Sequence, residues 1–334
     1  MNLFRKCLPR LVSCVAILTF ICLAENKQQE AIALIQHSKQ LSDIRATNSP
    51  PFRMKANVTL YTEKGPTEGT YTEFWTTGIQ WRRETAVGDF HRVEVGEGNK
   101  RWVLDSSTEV PPQAAEPERV VQVWKLDPDA WKPGTILDRT LERGVVRCVE
   151  TKPYFGGGKS ALCFDKADGT LAAKVVPFQL PERIVDHTCL YREYQKFGDK
   201  IFPRLVRCYD DGKPTLELRV VELTIAGNLG AELFARPDGA QETANCQGFT
   251  KAPKAVYTPD PAPPRRENPN RPVVLWMKVG QDGKPRDIKV ARSIDKAFDS
   301  AAIDAVRRWK FEPATCDGKP IESQINVEVA FRVF

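Results

Sequence analysis

The residue types that do chemistry are few in this chain and poorly spaced for it. Three histidines, His37, His91 and His187, lie far apart on different expected elements. Core or solvated roles are expected for them rather than base catalysis or metal ligation. The run Gly156-Gly157-Gly158-Lys159-Ser160 has the outline of a phosphate loop, but Pro153 stands where the first glycine belongs and no helical pattern follows. It reads as a hairpin turn. Asp210-Asp211-Gly212 and Asp168-Gly169 lack calcium-loop spacing and also read as turns. No serine occupies a Gly-x-Ser-x-Gly elbow, and no Cys-x-x-Cys offers zinc or thioredoxin-like spacing. The expectation is a binding protein, not an enzyme, with no catalytic residues, cofactor or metal.

Disulfide chemistry is the exception. Arg5, Lys6 and Arg10 precede an apolar run from Leu11 to Leu23, and Cys22-Leu23-Ala24 offers small residues to a signal peptidase. Cleavage after Ala24 is expected. The alternative is an uncleaved inner-membrane anchor over residues 11–24, although this run is shorter than the roughly 20 residues that span a bilayer. A lipoprotein-like box, Leu11-Val12-Ser13-Cys14, precedes the apolar run instead of following it. Six cysteines lie beyond Ala24: Cys148, Cys163, Cys189, Cys208, Cys246 and Cys316. An even number in an exported chain favours disulfides, with buried reduced thiols as the alternative. Cys148 and Cys163 flank a turn at Phe155-Gly156-Gly157-Gly158, and Cys189 and Cys208 are equidistant from Phe197-Gly198-Asp199-Lys200. Cross-strand pairing in two hairpins follows, leaving Cys246 and Cys316 to tie the start of a linker to the last domain.

The elements that position these residues are mostly strands. After an expected helix from Glu25 to Arg45, the period switches to two: Phe52, Met54, Ala56, Val58 and Leu60 alternate with Arg53, Lys55, Asn57, Thr59 and Tyr61. Short strands then recur between turn residues, interrupted by an expected helix within Pro111 to Leu126 and resuming from Val145 to Ile225. This spacing argues for a curling antiparallel sheet, not a parallel α/β fold. Between Pro253 and Pro272 a Pro-rich stretch predicts a stiff spacer reaching up to roughly 60 Å. The chain carries 49 basic and 43 acidic residues, a charge of +6 that falls by three if Arg5, Lys6 and Arg10 are removed. So mild and dispersed a balance gives no reason to expect nucleic acid.

From Pro272 the pattern is ββαβ. Val273 to Val279 and Asp287 to Arg292 flank a turn at Gln281-Asp282-Gly283-Lys284. Phe298, Ala302, Ala305, Val306 and Trp309 then form one helical face, with Asp304 four residues before Arg308. In the final strand Ile321, Ile325, Val327, Val329, Phe331 and Val333 alternate with polar residues.

Two resemblances follow. Val273-Val274-Leu275-Trp276-Met277-Lys278-Val279, Val290-Ala291-Arg292-Ser293, Ala305-Val306-Arg307-Arg308-Trp309-Lys310-Phe311-Glu312-Pro313-Ala314 and Gly318-Lys319-Pro320 resemble the C-terminal domain of the TonB family, which links inner-membrane energy to outer-membrane receptors. The segment from Gly69-Thr70-Tyr71 through Trp81-Arg82-Arg83-Glu84 to Arg101-Trp102 is similar in layout to the LolA/LolB lipoprotein-carrier fold, an open half-barrel that holds acyl chains. Trp75, Trp81, Trp102 and Phe90 are expected to fill an ordinary β core in preference to lining a cargo cavity. The expected class is α+β, with a signal peptide over residues 1–24, a β-rich half-barrel-like domain over 25–246, a Pro-rich linker over 247–271 and a TonB-like domain over 272–334.

The TonB resemblance implies a periplasmic protein that pairs a short partner segment beside its last strand, at Ser323, Gln324, Ile325, Asn326, Val327 and Glu328. An outer-membrane or envelope protein is the partner so implied, and pairing with a second copy of the chain is the alternative. The LolA/LolB resemblance implies lipid cargo instead. The tyrosine-proline pair usual before TonB domains is split here, because Thr258 separates Tyr257 from Pro259.

Overall fold

The computed structural model describes residues 27–331 apart from 63–64, 109, 127–130, 132, 142–143, 152–158, 180–183, 247–249, 266–268, 270–271 and 317. The expected signal peptide and the turn at Phe155–Gly158 lie outside the described residues. Helix α1 covers 27–42, where Ala31 and Ser38 are buried, and winding stops ahead of Pro50-Pro51.

Thirteen antiparallel strands form the main sheet, which is not closed into a barrel. They are β1 (Phe52–Thr62), β2 (Gly65–Thr77), β3 (Gln80–Val87), β4 (Phe90–Glu97), β5 (Lys100–Asp105), β6 (Pro133–Leu141), β7 (Gly144–Thr151), β8 (Ala161–Asp165), β9 (Leu171–Gln179), β10 (Ile184–Phe197), β11 (Lys200–Asp210), β12 (Lys213–Ile225) and β13 (Gln241–Ala244). Their order is β13-β5-β4-β3-β2-β1-β12-β11-β10-β9-β8-β7-β6, so nearly every neighbour is also a sequence neighbour, as short turn-linked strands dictate. Strand β6 carries no regular alternation and is exposed along much of its length, so periodicity alone does not reveal it. The helix expected within Pro111 to Leu126 is a 3-10 turn, Pro112–Ala115, followed by α2, Glu116–Val121.

The chain forms two compact units. One combines Pro128–Thr215 with the chain up to Ile44; the other combines Arg45–Asp127 with Leu216–Phe334. In the first, Val146, Cys148, Ala161, Cys163, Ala172 and Ala173 make an apolar cluster on the β7-β8-β9 surface. Lys200 Nζ donates to the Gln40 carbonyl at the end of α1 (3.0 Å).

In the second, β1 buries Phe52, Met54, Ala56 and Val58 on one face and pairs with β2 in unbroken register from Phe52↔Trp75 to Thr62↔Gly65. Phe52 stacks on Trp75 at 5.5 Å between ring centroids. Gly96 is obligatory opposite Trp81, because a Cβ there would lie 2.3 Å from the indole. Near the other side of the meander, Val93, Val95 and Trp102 pack with Phe234 and Ala240.

The C-terminal part of this unit holds β16 (Val273–Val279), β17 (Pro285–Arg292), α3 (Lys296–Val306), β18 (Lys310–Glu312), β19 (Ala314–Cys316), β20 (Lys319–Ile321) and β21 (Ser323–Val329), preceded by β14 (Thr250–Lys251) and β15 (Lys254–Tyr257). Strand β16 is central in the order β17-β16-β21. Val273, Leu275, Met277 and Val279 meet Phe298, Ala302 and Val306 of α3, and Phe311, Val329 and Phe331 complete that core. The Asp295 carboxylate caps α3 by accepting from the N–H groups of Ala297 (2.9 Å) and Phe298 (3.1 Å). Gly283 holds φ +74° where a Cβ would strike the Phe311 carbonyl, so the β16-β17 turn can seat β18 only with glycine there.

Three expectations change. The helix ends at Val306, so Asp304 pairs with Arg307 (3.0 Å) instead of Arg308. The single final strand divides at Glu322 into β20 and β21. The start of the Pro-rich spacer is not free chain: β14 pairs with β19, and β15 with β18. Lys254-Ala255-Val256-Tyr257 contains no proline and two good strand formers, whereas prolines crowd in from Pro259.

Candidate partner-binding edge

The residues singled out by sequence, Ser323 to Glu328, occupy β21 and run antiparallel to β16: Ser323 lies opposite Val279, Gln324 opposite Lys278, Ile325 opposite Met277, Asn326 opposite Trp276, Val327 opposite Leu275 and Glu328 opposite Val274. Paired residues share a face, so Ile325 and Val327 lie on the helix side with Leu275 and Met277. Helix α3 contacts β16 and β17. Ile325 and Val327 are only partly buried against the core. On the opposite face stand Gln324, Asn326 and Glu328 beside Trp276 and Lys278. Among the described residues no strand pairs along the outer side of β21. Its outward N–H and C=O groups form a template for an extended chain.

Ion pairs and amides brace this sheet. Lys278 Nζ lies 3.2 Å from the Asp287 carboxylate and 3.7 Å from that of Glu322, and Arg292 reaches Glu328 at 3.8 Å. The Gln324 amide donates to Gln241 Oε1 on β13 (2.8 Å). Close by in sequence, Cys246 is bonded to Cys316 of β19, with Cα atoms 5.6 Å apart, and Lys125 donates to the Cys246 carbonyl (2.9 Å). The Trp309 indole donates to the Pro259 carbonyl (3.2 Å). The other four cysteines among the described residues pair as Cys148–Cys163 and Cys189–Cys208.

A second constellation escaped the sequence reading. On the face of β1 to β5 that carries Phe52, Trp75 and Trp81, the register also aligns Glu73, Arg83 and Glu94. Glu73 is fully buried and accepts from Arg83 Nε (3.0 Å) and from the Arg45 guanidinium. Arg83 also donates to Glu118 on α2 (2.8 Å) and lies 3.8 Å from the centre of the Trp81 ring. Arg101 pairs with Glu94, and Arg92 holds Asp105 through two bonds of 2.6 and 2.8 Å.

Burial by itself raises the Glu73 carboxyl, but the facing Arg45 and Arg83 outweigh it and hold the group below the usual range. Burial also opposes ionisation of Glu118, yet Arg83, Arg101 and Lys125 pull it down to about 2. Burial, followed by the Glu73 charge, pushes the Tyr71 phenol well up. These groups are locked in their charged or neutral states near neutrality, which suits a fixed framework and not proton transfer. The available signal was Tyr71-Glu73-Trp75, one charge between two aromatics on the inner face, opposite Arg83 in Trp81-Arg83-Thr85.

Residues 261–333 match the family model described as Gram-negative bacterial TonB protein C-terminal. Protein TonB of Vibrio cholerae is 29% identical over 106 residues, covering 28% of this chain and 43% of that one. Protein tonB2 of Pseudomonas aeruginosa is 32% identical over 87 residues, covering 26% and 31%. This chain thus spans less than half the length of either curated relative. A solved domain of a putative outer membrane lipoprotein-sorting protein from Vibrio parahaemolyticus has a TM-score of 0.43 at 13% identity over 63% of this chain and 97% of its own. A LolA superfamily protein from Nitrosomonas europaea has a TM-score of 0.40 at 9% identity over 62% and 97%. Among the described residues no helix is long and apolar enough to cross a membrane. Likeness to the TonB C-terminal family is carried by the segment that supplies the open β21 edge.

Proposed function

We propose that this chain is a non-catalytic adaptor of the bacterial envelope that captures an extended segment of an outer-membrane or other envelope protein by strand addition to β21. One observation carries the reading: among the described residues β21 is paired on a single side, with Ile325 and Val327 half-buried on one face and Gln324, Asn326 and Glu328 on the other. The TonB-type family match over these residues supports it. Export with cleavage after Ala24, giving a periplasmic protein, belongs to the same reading.

The competing idea of an acyl-chain carrier meets an obstacle at β2 to β4, where buried Glu73, Arg83 and Glu94 occupy the face that an apolar lining would need. Native mass spectrometry of the purified chain showing bound lipid would restore it.

Successive residues of an antiparallel strand direct their backbone N–H groups to opposite sides. One of Asn326→Pro and Val327→Pro therefore removes a bond to β16, and the other removes an outward N–H. Urea unfolding and calorimetric titration of the full chain, with peptides copying extended segments of outer-membrane receptors, separate the two. The expected result is one destabilised variant and one that keeps its stability but loses peptide binding. Binding by both variants at parental affinity would sink strand addition.

A further inference from the structure

Two of the three disulfides among the described residues join cysteines that face each other directly on neighbouring strands, Cys148↔Cys163 across β7 and β8 and Cys189↔Cys208 across β10 and β11. Their surroundings differ. Cys148 and Cys163 lie in an apolar cluster with Val146, Ala161, Ala172 and Ala173. Beside Cys189 and Cys208, the next pair on the same face is His187↔Asp210. The His187 ring spans the two chemistries: Nδ1 lies 2.7 Å from Asp210 Oδ1 and Nε2 lies 3.2 Å from Cys189 Sγ. Both sulfurs are buried, while the His187 side chain is 20% exposed and that of Asp210 36%, which leaves a route from solvent.

We propose that Cys189, Cys208 and His187 form a redox-gated site for a thiophilic divalent cation of the zinc and cadmium type. The ligand atoms lie within 4.8 Å of one another in the oxidised protein, so modest side-chain rotation converts the pair from a disulfide to a chelate. A dithiol reductant supplies two electrons and two protons and leaves as its own disulfide, giving two thiols. The cation then displaces both protons, forming two metal–sulfur bonds. The His187 Nε2 lone pair is the third donor.

Two thiolates neutralise the dication, which removes the cost of a net charge among buried groups. Asp210 has the role of the outer carboxylate that fixes a ligating histidine, accepting from Nδ1–H so that Nε2 presents its lone pair. Beside Cys148 and Cys163 the next pairs on the same face are Val146↔Asp165 and Glu150↔Ala161, which include no histidine, so this disulfide provides the internal control.

The test uses the full chain, treated with dithiothreitol under native conditions, desalted without oxygen and titrated with Cd2+. Ultraviolet thiolate-to-cadmium absorption reads binding, and alkylation followed by peptide mass spectrometry reads which cysteines are protected. The expected result is one cadmium ion per chain that protects Cys189 and Cys208 and leaves any reduced Cys148 and Cys163 open to alkylation. Asp210→Asn is expected to weaken binding about 10–100-fold, and His187→Ala at least as much, with circular dichroism unchanged. Equal protection of both cysteine pairs, no protection of Cys189 and Cys208, or reduction of this pair only together with loss of the circular dichroism signal would each overturn the assignment.

Discussion

The main sheet around Glu73 and the small sheet ending in β21 handle polar groups in opposite ways. At Glu73 the backbone is paired on both sides, and the buried carboxylate is answered by Arg45 and Arg83. At β21 the side chains are half-exposed, and one side of the backbone has no strand partner among the described residues. A buried charge must be neutralised inside the fold because water cannot reach it, whereas an exposed strand edge is satisfied by water until another chain replaces the water. The first arrangement fixes a structure. The second leaves a surface able to exchange partners.

The largest expected effect comes from breaking the closed arrangement. Glu73→Ala leaves two guanidinium groups facing each other without their shared carboxylate, and urea unfolding should show a loss of about 3–5 kcal/mol. A loss well below 1 kcal/mol would mean that water already reaches the row. Acid should act next. The folded-state acidities of Glu73 and Glu118 are shifted so that the charged forms are favoured, and their contribution is therefore complete above the ordinary glutamate range. It is lost as pH falls from about 4.5 toward about 2, where Glu118 protonates in the folded chain. Urea midpoints measured across that window should drop steeply for the parent and less steeply for Glu118→Gln; identical slopes would remove Glu118 from the account.

The smallest effect belongs to the open edge. Gln324→Ala deletes the bond to Gln241 and should lower stability by only about 1 kcal/mol, while partner binding along Ile325 to Glu328 persists. A larger loss would make β21 part of the framework instead of a free edge.

Much of this contrast was legible in the residues. Alternation in Phe52 to Leu60 and in Ile325 to Val329 states which faces are buried, because a strand repeats every two residues whatever it packs against. The equal spacing of Cys189 and Cys208 about their turn fixes their register in the same local way. Strands β14, β15 and β18 to β20 were not legible, since two to four residues are too few to establish a period. The Glu73 row escaped because a charge at an inward position reads as an exposed residue until its partners are known. Arg45 and Glu118 are 28 residues before and 45 residues after Glu73.

The sequence by itself determined the β-rich class and the ββαβ order after Pro272. These depend on nearest-neighbour geometry and on the period of the side chains. Tertiary structure decided that Asp210 stands behind His187 and His187 beside Cys189, that Glu73 lies between two arginines, and that β21 ends a sheet instead of sitting inside one. Each depends on which strands become neighbours, which is settled by how the whole chain buries its apolar faces and which no local pattern records.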